Sequence, residues 1–317
     1  MKALFVGLGS IGRRHLTNFA AECKERGLPC EVTALRHTGA ELPEEVAPLV
    51  QRTIQELPEE QFDVAFITGP THTHAKILQM LQGKVDTYFI EKPIFEATHY
   101  NLEELGLTKD QKAYVAAPMR WCGVYQKMKE ELKRLPVYSV RAICSSYLPG
   151  WRPAADYRTV YSAHADMGGG VGLDLIHEWD YLVDLFGFPQ KSKGLRGRFS
   201  HLEIDSDDLA AYIARYPGFL AEVHLDYFGR TYRRTLEVFS EQGTLEADFY
   251  TGQLTLPDGT KEDYAEPANR RYEREMQYFV EYALYGEGES INPPKTAQQI
   301  MDICLLEEWE TWMKSSF

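Results

Sequence analysis

Positive charge and long apolar runs are both scarce in the sequence, and each shortage excludes a class of function. Its 47 acidic residues outnumber its 34 basic residues, which gives a formal net charge of −13 at neutral pH. Binding to nucleic acid or to an anionic membrane depends on basic surface, which this composition does not favour. No apolar run approaches the roughly 18 residues that a membrane-spanning helix needs. We therefore expect neither nucleic acid nor a membrane among the partners.

Paired cysteines are absent as well. The five cysteines form no C-x-x-C pair and have no spacing typical of metal ligands; they are Cys23, Cys30, Cys122, Cys144 and Cys304. An odd number of such thiols is typical of small buried side chains in a reducing compartment. Met1 leads directly into an apolar segment with no pattern of a secretory leader. We therefore expect a cytoplasmic protein without a structural metal.

A glycine-rich turn near the N-terminus indicates a dinucleotide site. Gly7, Gly9 and Gly12 have G-x-G-x-x-G spacing and lie between a strand pattern at Ala3–Val6 and a helical pattern that ends near Gly27. The first glycine allows a tight turn, the second lets a pyrophosphate approach the backbone, and the third lets helix pack on strand. Free N–H groups at the helix N-terminus favour phosphate. The cofactor candidates are Gly7, Gly9, Ser10, Ile11 and Gly12. The alternative is a turn that binds nothing.

The end of the second strand pattern bears on the choice of dinucleotide. This pattern runs from Glu31 to His37, and Arg36 stands near its end. Sites for NAD(H) usually place an acidic residue there to bind the ribose 2′-hydroxyl. A carboxylate would repel the 2′-phosphate of NADP(H), whereas an arginine pairs with it. We therefore expect NADP(H) to be favoured over NAD(H). The alternative is that Arg36 stacks on the adenine.

Strand patterns at 62–70, 88–94 and 113–118 alternate with helical patterns. This alternation predicts a parallel, doubly wound sheet, whose ligands bind beyond the carboxyl ends of the strands. Further cofactor candidates at those ends are Thr68, Pro70, His74, Glu91 and Lys92. Lys92 is also a catalytic candidate, because an amine in a partly dry cleft can hydrogen-bond a substrate hydroxyl and favour its alkoxide. The alternative is a surface lysine at a strand end.

The pattern changes after Pro118. Alternating segments separated by turn signals predict a large, mostly antiparallel sheet, and helical patterns at 268–286 and 297–313 close the chain. The fold class is thus α/β, a Rossmann domain followed by an α+β domain. We expect a dinucleotide-binding domain at 1–118 and a substrate-binding and oligomerisation domain at 119–317.

Three glycines, Gly168–Gly170, lead into an amphipathic helical pattern that carries Asp174 and His177. A single helix would present both side chains on one face, because residues three apart are neighbours there. The imidazole can shuttle a proton at neutral pH, and the acid can fix its tautomer or bind a substrate hydroxyl. The glycines would leave the helix start open to a ligand. The alternative is a solvated polar face. A metal site built from Asp174, His177 and Glu178 is not expected, because no second histidine lies at usable spacing.

Aromatic and arginine side chains precede these glycines. Sugars stack on aromatic rings, and arginines bind carboxylates or phosphates. The combination predicts an anionic sugar as ligand, and the alternative is an ordinary loop that packs on the sheet. The substrate candidates are Arg120, Trp151, Arg152, Tyr157 and Tyr161, together with Asp174 and His177.

In this order and spacing, the motifs resemble those of the glucose–fructose oxidoreductase / inositol dehydrogenase / MocA (Gfo/Idh/MocA) family. They are "GLGSIG", "TGPTHTH", "EKP" and "GGGVGLDLIHEWD", and they extend over nearly the whole chain. The resemblance implies an NAD(P)-dependent oxidoreductase acting on a sugar, cyclitol or related polyol. It places the family's catalytic lysine at Lys92, and its acid and histidine at Asp174 and His177. The sequence departs from the family in the shorter spacing of those two residues and in Arg36, which replaces the usual acid.

Three hypotheses of function follow. In the first, a hydride passes between the nicotinamide and a carbinol carbon of a sugar, sugar acid, sugar nucleotide or cyclitol. His177 would be the general acid/base, Lys92 would polarise the oxygen, and Asp174 would have an orienting role. In the second, a tightly held cofactor assists a glycosidase or lyase without net redox change. In the third, the protein binds a dinucleotide without catalysis. We expect a homodimer or homotetramer, because the resemblance implies sheets that pair face to face.

Overall fold

The structure is a computed structural model that describes residues 1–36 and 41–310. Its strands are β1 (Lys2–Val6), β2 (Glu31–Leu35), β3 (Arg52–Ile54), β4 (Phe62–Ile67), β5 (Val85–Ile90), β6 (Lys112–Val115), β7 (Ser139–Tyr147), β8 (Lys191–Gly197), β9 (Leu209–Tyr216), β10 (Phe219–Asp226), β11 (Phe228–Ser240), β12 (Gly243–Asp248), β13 (Gln253–Thr255), β14 (Lys261–Asp263) and β15 (Glu308–Glu310). Its α-helices are α1 (Ser10–Glu25), α2 (His74–Leu81), α3 (Gly123–Leu132), α4 (Leu148–Trp151), α5 (Val171–Asp174), α6 (His177–Phe186), α7 (Arg270–Tyr285) and α8 (Pro294–Leu305).

Contacts divide the chain into two compact units. The first comprises Met1–Phe95, His99–Ala116 and Tyr272–Gln298; the second comprises Glu96–Thr98, Ala117–Arg271 and the described residues from Gln299 onward. The contacts change at Ala116, two residues before the predicted boundary, and they return a later segment to the first unit. No helix in the described parts of the chain is long and apolar enough to cross a membrane.

The first unit contains a six-stranded sheet in the order β3-β2-β1-β4-β5-β6. Every neighbouring pair is parallel, and the four inner strands are buried along most of their length, as expected of strands covered on both faces. The predicted Rossmann sheet is thereby confirmed. Its strand order reverses between β1 and β4, which places the ligand crevice of such sheets beyond their carboxyl ends.

Helix α7 packs on the sheet of the first unit, a contact that the sequence pattern did not predict. The residues between β5 and β6, where the alternation of strand and helical patterns predicts a helix, form turns. Phe279 of α7 instead packs edge-on against Phe66 and Phe89 of the sheet at ring distances of 5.2 and 5.1 Å. Tyr114 of β6 donates a hydrogen bond to Glu275 at 2.9 Å. These contacts explain why Tyr272–Gln298 belongs to the first unit.

The second unit contains a nine-stranded sheet in the order β14-β13-β12-β11-β7-β10-β9-β8-β15. All neighbours are antiparallel except β7 and β10, so the predicted large, mostly antiparallel sheet is confirmed. The last predicted helix, at 297–313, is wrong in its second part. Helix α8 ends at Leu305, and β15 follows, because its backbone pairs with β8 and covers an edge that would otherwise lack hydrogen-bond partners. Residues 311–313 lie outside the described residues.

Candidate functional site

The glycine-rich turn joins β1 to α1 in the first unit, and close packing explains two of its three glycines. Gly7 has a φ of +96°, and a Cβ there would lie 2.5 Å from the backbone nitrogen of Gly69. A Cβ at Gly12 would lie 2.2 Å from the carbonyl oxygen of Gly7. At Gly9, by contrast, a Cβ would meet no heavy atom of the described residues within 4 Å. The chain's own packing thus requires the first and third glycines, while the second faces open space.

The N-terminus of α1 lies beside that open space. Gly9 occupies the N-cap position, and no side chain of the described residues caps the helix. The first-turn N–H groups, to which Ser10 and Ile11 contribute, therefore suit an anion. The two arginines of this turn do not depend on a bound anion for a partner. Arg13 forms an ion pair with Glu45 at 2.7 Å, and the guanidinium of Arg14 lies 4.6 Å from the ring centre of Tyr272.

Two of the predicted cofactor residues after β4 brace this turn. The Thr68 hydroxyl donates to the carbonyl oxygen of Gly7 at 2.5 Å and is buried. The ring nitrogens of His74, also buried, lie 3.1 Å from the carbonyl oxygens of Gly69 and Ile94. Pro70 is exposed. Thr68 and His74 therefore fix the shape of the loops around the open space.

Glu91 and Lys92 follow β5 at the same edge of the sheet. Glu91 is buried: one carboxylate oxygen lies 2.5 Å from Nε2 of His15, and the other accepts the backbone N–H of Lys92 at 3.0 Å. Burial by itself would raise the pKa of Glu91, but the hydrogen bond with His15 and the charge of Lys92 bring it below its ordinary value. Lys92 is half-buried, and its peptide bond to Pro93 is cis. The structure thus brings the predicted lysine to the carboxyl end of a central strand.

Arg36 stands where the sequence placed it, directly after β2. Its backbone N–H donates to the carbonyl oxygen of Ile54 at 2.9 Å, and the residue is half-buried. The strand itself ends at Leu35, and His37 lies outside the described residues.

In the second unit, Asp174 and His177 do not lie on one continuous helix, so that expectation was wrong. Asp174 ends α5 and His177 begins α6, and the backbone leaves helical geometry at Leu175, with φ −100° and ψ 31°. The alternative of a solvated polar face is also wrong, since Asp174 and Tyr181 are buried and His177 is half-buried. A separation of three residues is compatible with one helix or with two short ones.

Two phenols hold the Asp174 carboxylate. Tyr161 donates to one oxygen at 2.6 Å and Tyr227 donates to the other at 2.5 Å. Burial and the charge of Asp174 raise the pKa of both tyrosines well above its ordinary value, so both remain donors. Asp174 therefore links α5 to the loop before it and to the turn after β10.

The backbone conformation requires the three glycines Gly168–Gly170. Gly168 and Gly170 have φ angles of +81° and +117°. A Cβ at Gly169 would lie 2.3 Å from the carbonyl oxygen of Tyr161 and 2.6 Å from that of His164. In the sequence these glycines were explained by access for a ligand; tight turns and a close backbone approach also require all three.

Most predicted substrate residues lie together, but Arg120 is engaged elsewhere. Trp151, Arg152, Tyr157 and Tyr161 line one small cavity of about 30 Å³. Arg120 is buried and binds Asp180 through two hydrogen bonds of 2.8 and 3.0 Å. Its charge is thereby matched within the second unit. The loop residues remain substrate candidates, whereas Arg120 has a structural partner that the sequence did not indicate.

A larger cavity in the second unit was missed. It measures about 340 Å³ and is lined by Glu96, Ala97, Thr98, Ala165, Gly169, Leu173, Arg196, Asp205, Ser206, Asp207, Leu305 and Leu306. Its lining comes from four distant parts of the sequence, so no local pattern could have signalled it. His15 was likewise missed as a partner of Glu91, although its place one turn after the glycine motif is visible in the sequence.

Comparison with known proteins agrees with this geometry. Residues 1–115 match the sequence model of the oxidoreductase family with an NAD-binding Rossmann fold, GFO_IDH_MocA. The predicted resemblance to the Gfo/Idh/MocA family is thereby confirmed, and the match supports the predicted class of enzyme, a dehydrogenase or reductase. No curated protein matches the chain in sequence.

Solved structures resemble the chain over almost its whole length. Levoglucosan dehydrogenase, in complex with NADH and levoglucosan, has 15% identity and a TM-score of 0.82 over 96% of this chain and 95% of that one. Myo-inositol 2-dehydrogenase from Lactobacillus plantarum has 17% identity and a TM-score of 0.77, with coverages of 96% and 95%. UDP-N-acetylglucosamine 3-dehydrogenase GnnA from Acidithiobacillus ferrooxidans has 18% identity and a TM-score of 0.73, with coverages of 96% and 95%. At these identities the likeness is one of fold.

The different surroundings of Gly9 and Gly12 generate a prediction. Gly9→Ala should leave thermal unfolding unchanged or slightly improved, because its φ of −67° suits alanine and the new methyl meets no neighbour. Its affinity for NAD(P)H should nevertheless fall by about tenfold or more, since the methyl enters the space that a pyrophosphate needs. Fluorescence titration and differential scanning calorimetry measure the two effects.

Gly12→Ala is the matched control. It places the same methyl 2.2 Å from a backbone oxygen, so it should lower the melting temperature. Unchanged affinity in a folded Gly9→Ala variant would show that no pyrophosphate lies against this glycine.

Proposed function

We propose that the protein is a cytoplasmic NAD(P)-dependent dehydrogenase or reductase acting on CH–OH groups of a sugar, sugar acid, sugar nucleotide or cyclitol. The observation that carries this proposal is the turn between β1 and α1, where open space at Gly9 adjoins an uncapped helix N-terminus. This arrangement fits the pyrophosphate of a dinucleotide. The matched family and the dehydrogenases of similar fold support it.

The bound nicotinamide would supply or accept the hydride, and the chain's own groups would manage the proton and the oxygen. Lys92 would hydrogen-bond the substrate oxygen and stabilise the alkoxide as it forms. His177, at the start of α6, would exchange the proton as general acid/base. Asp174 already accepts a phenol at each oxygen, so its contribution would be to position the loop that carries Tyr161 as well as to orient the histidine.

The loop before α5 would bind the substrate. Trp151 is partly exposed and its indole N–H donates to Ser146 at 3.2 Å, which fixes the ring. Arg152 is exposed beside it. A flat ring next to a guanidinium suits a sugar with a carboxylate or phosphate. An anionic sugar is therefore the substrate class that we propose.

Catalytic roles are tested by Lys92→Ala and His177→Ala. Each should lower kcat by about 100-fold or more, the usual range for removing a proton-transfer or oxyanion-stabilising group. The dissociation constant for NAD(P)H should change little. Lys76→Ala and His201→Ala, which remove exposed side chains from the first and second units, should retain wild-type turnover.

The same assays separate the alternative functions. Product formation without net turnover of NAD(P)H would favour a cofactor-assisted glycosidase or lyase. Dinucleotide binding without product from a panel of polyols and anionic sugars would favour a non-catalytic protein. Wild-type turnover in both alanine variants would contradict the roles given to Lys92 and His177.

NADP(H) is the dinucleotide that we propose to be preferred, because Arg36 follows β2 where an acid would exclude a 2′-phosphate. Arg36→Ala should weaken binding of NADPH by about tenfold or more and leave binding of NADH nearly unchanged. Isothermal titration calorimetry with both dinucleotides measures this, and Arg134→Ala, at an exposed arginine of the second unit, is the control. Tighter binding of NADH than of NADPH by the wild type would refute the preference.

We propose a homodimer or homotetramer because one face of the second sheet carries exposed apolar side chains. Leu195, Ile213 and Leu220 lie on the neighbouring strands β8, β9 and β10 and are 79%, 58% and 52% exposed. Register places them on the same face, since Leu195 pairs with Ala211 and Ile213 lies opposite Glu222. An exposed apolar patch of this kind is typical of an interface.

Ile213→Lys should therefore reduce the mass in solution to the 36.3 kDa of one chain. Light scattering coupled to gel filtration gives the mass. Tyr250→Lys, in an exposed turn of the same unit, is the control. A wild-type mass of one chain would contradict the proposed assembly.

A further inference from the structure

A buried histidine–glutamate pair lies behind Lys92 in the first unit. His15 of α1 has no exposed surface, and its Nε2 is 2.5 Å from one oxygen of Glu91. The other oxygen of Glu91 accepts the backbone N–H of Lys92 at 3.0 Å. The carboxylate is thus held from two sides, by the ring of His15 and by the backbone that carries the lysine.

The surroundings of His15 define how it can act. Its ring packs against Phe89, with centres 4.6 Å apart, and against the edge of Tyr272 at 6.0 Å. Its Nδ1 is buried and has no hydrogen-bond partner among the residues that the structure describes. An imidazole with its proton on Nε2 donates to Glu91 and leaves only an acceptor unsatisfied, which costs less than a buried N–H without a partner.

We propose that His15 is a positioning residue for Lys92, acting through Glu91. The ring fixes the Glu91 carboxylate, and the carboxylate in turn fixes the backbone at Lys92. This inference rests on the proposed function, because it assigns a purpose to the pair only if Lys92 acts on a substrate oxygen. His15 itself touches neither substrate nor dinucleotide in this role.

The electrostatics of Glu91 support the proposal. Burial raises its pKa, and the hydrogen bond with His15 and the charge of Lys92 outweigh that effect, so its pKa lies below the ordinary value. Without the His15 ring, fewer interactions would oppose the effect of burial, and the pKa of Glu91 would be higher. The carboxyl would then take up a proton at a higher pH, and a protonated carboxyl is a poorer acceptor for the Lys92 N–H. Arg14 of the same helix places its guanidinium 4.6 Å from the centre of the Tyr272 ring, which the His15 ring also contacts.

The first experiment compares His15→Met with His15→Gln in the full-length protein. Methionine fills the space without a donor, whereas the glutamine amide nitrogen reaches about as far as Nε2 and keeps one. His15→Met should lower kcat by about 10- to 100-fold, the worth of a hydrogen bond to a buried charge. The acidic limb of its pH–rate profile should move to higher pH. His15→Gln should recover most of the rate and the wild-type limb, and the dissociation constant for NAD(P)H should change little in both.

A second measurement does not depend on activity. In protein labelled with ¹³C at glutamate carboxyls, the Glu91 signal, assigned by its loss in Glu91→Gln, should titrate at a higher pH in His15→Met than in the wild type. The signal of Glu22, on the same helix and paired with Arg26, is the internal reference. This titration tests the coupling between His15 and Glu91 even if the protein turns over no polyol. Absence of turnover would count against the proposed function and not against the coupling.

Specific results would overturn the inference. A folded His15→Met variant with wild-type kcat, pH profile and Glu91 titration would show that the pair only packs the core. If His15→Met fails to fold, Glu91→Gln decides: it should show the same loss of kcat, and wild-type turnover in that variant would refute the coupling to Lys92. Equal losses in His15→Gln and His15→Met, with an unmoved Glu91 titration, would likewise refute it.

Discussion

The contact between Gly7, Gly12 and Gly69 is the constraint on which the candidate dinucleotide site depends. Backbone atoms there approach so closely that a single methyl at Gly7 or Gly12 would overlap them. This contact brings the ends of β1 and β4 and the start of α1 together, and the buried Thr68 hydroxyl ties it. The uncapped helix end and the open space at Gly9 are therefore fixed by close backbone packing at Gly7 and Gly12 together with the side chains of Thr68 and His74.

Buried carboxylates in both units are held in the same way, by two donors from the chain. Glu91 accepts from the Lys92 N–H and contacts His15, while Asp174 accepts from two tyrosines. Removing water from a carboxylate is costly unless hydrogen bonds replace it. Each acid can therefore remain buried only where its donors are fixed, and it holds those donors in return. Both candidate catalytic segments are thus held by hydrogen bonds within the chain itself.

Much of the fold was predictable from the sequence, because it depends on local periodicity. Alternation of apolar runs with helical patterns gave the parallel sheet, and regularly spaced turn signals gave the antiparallel one. The break after Asp174 was not predictable, since a three-residue spacing fits one helix or two. Nor was the purpose of Gly169, because the carbonyl oxygens that exclude its side chain come from Tyr161 and His164 of a preceding irregular loop.

Arg120 was interpreted as a substrate residue for a related reason. The sequence around an arginine does not reveal whether its charge is matched by an acid of the same protein. Arg120 binds Asp180, and the buried Arg234 binds Glu178 at 2.7 and 3.0 Å, so two strong ion pairs anchor α6. Breaking such a pair leaves an uncompensated buried charge, which costs about 3–5 kcal/mol. Because Glu178 and Asp180 lie one and three residues after His177, these pairs fix the first turn of α6. Its position therefore depends more on two arginines than on any cap, since the helix begins at His177 without one from the described residues.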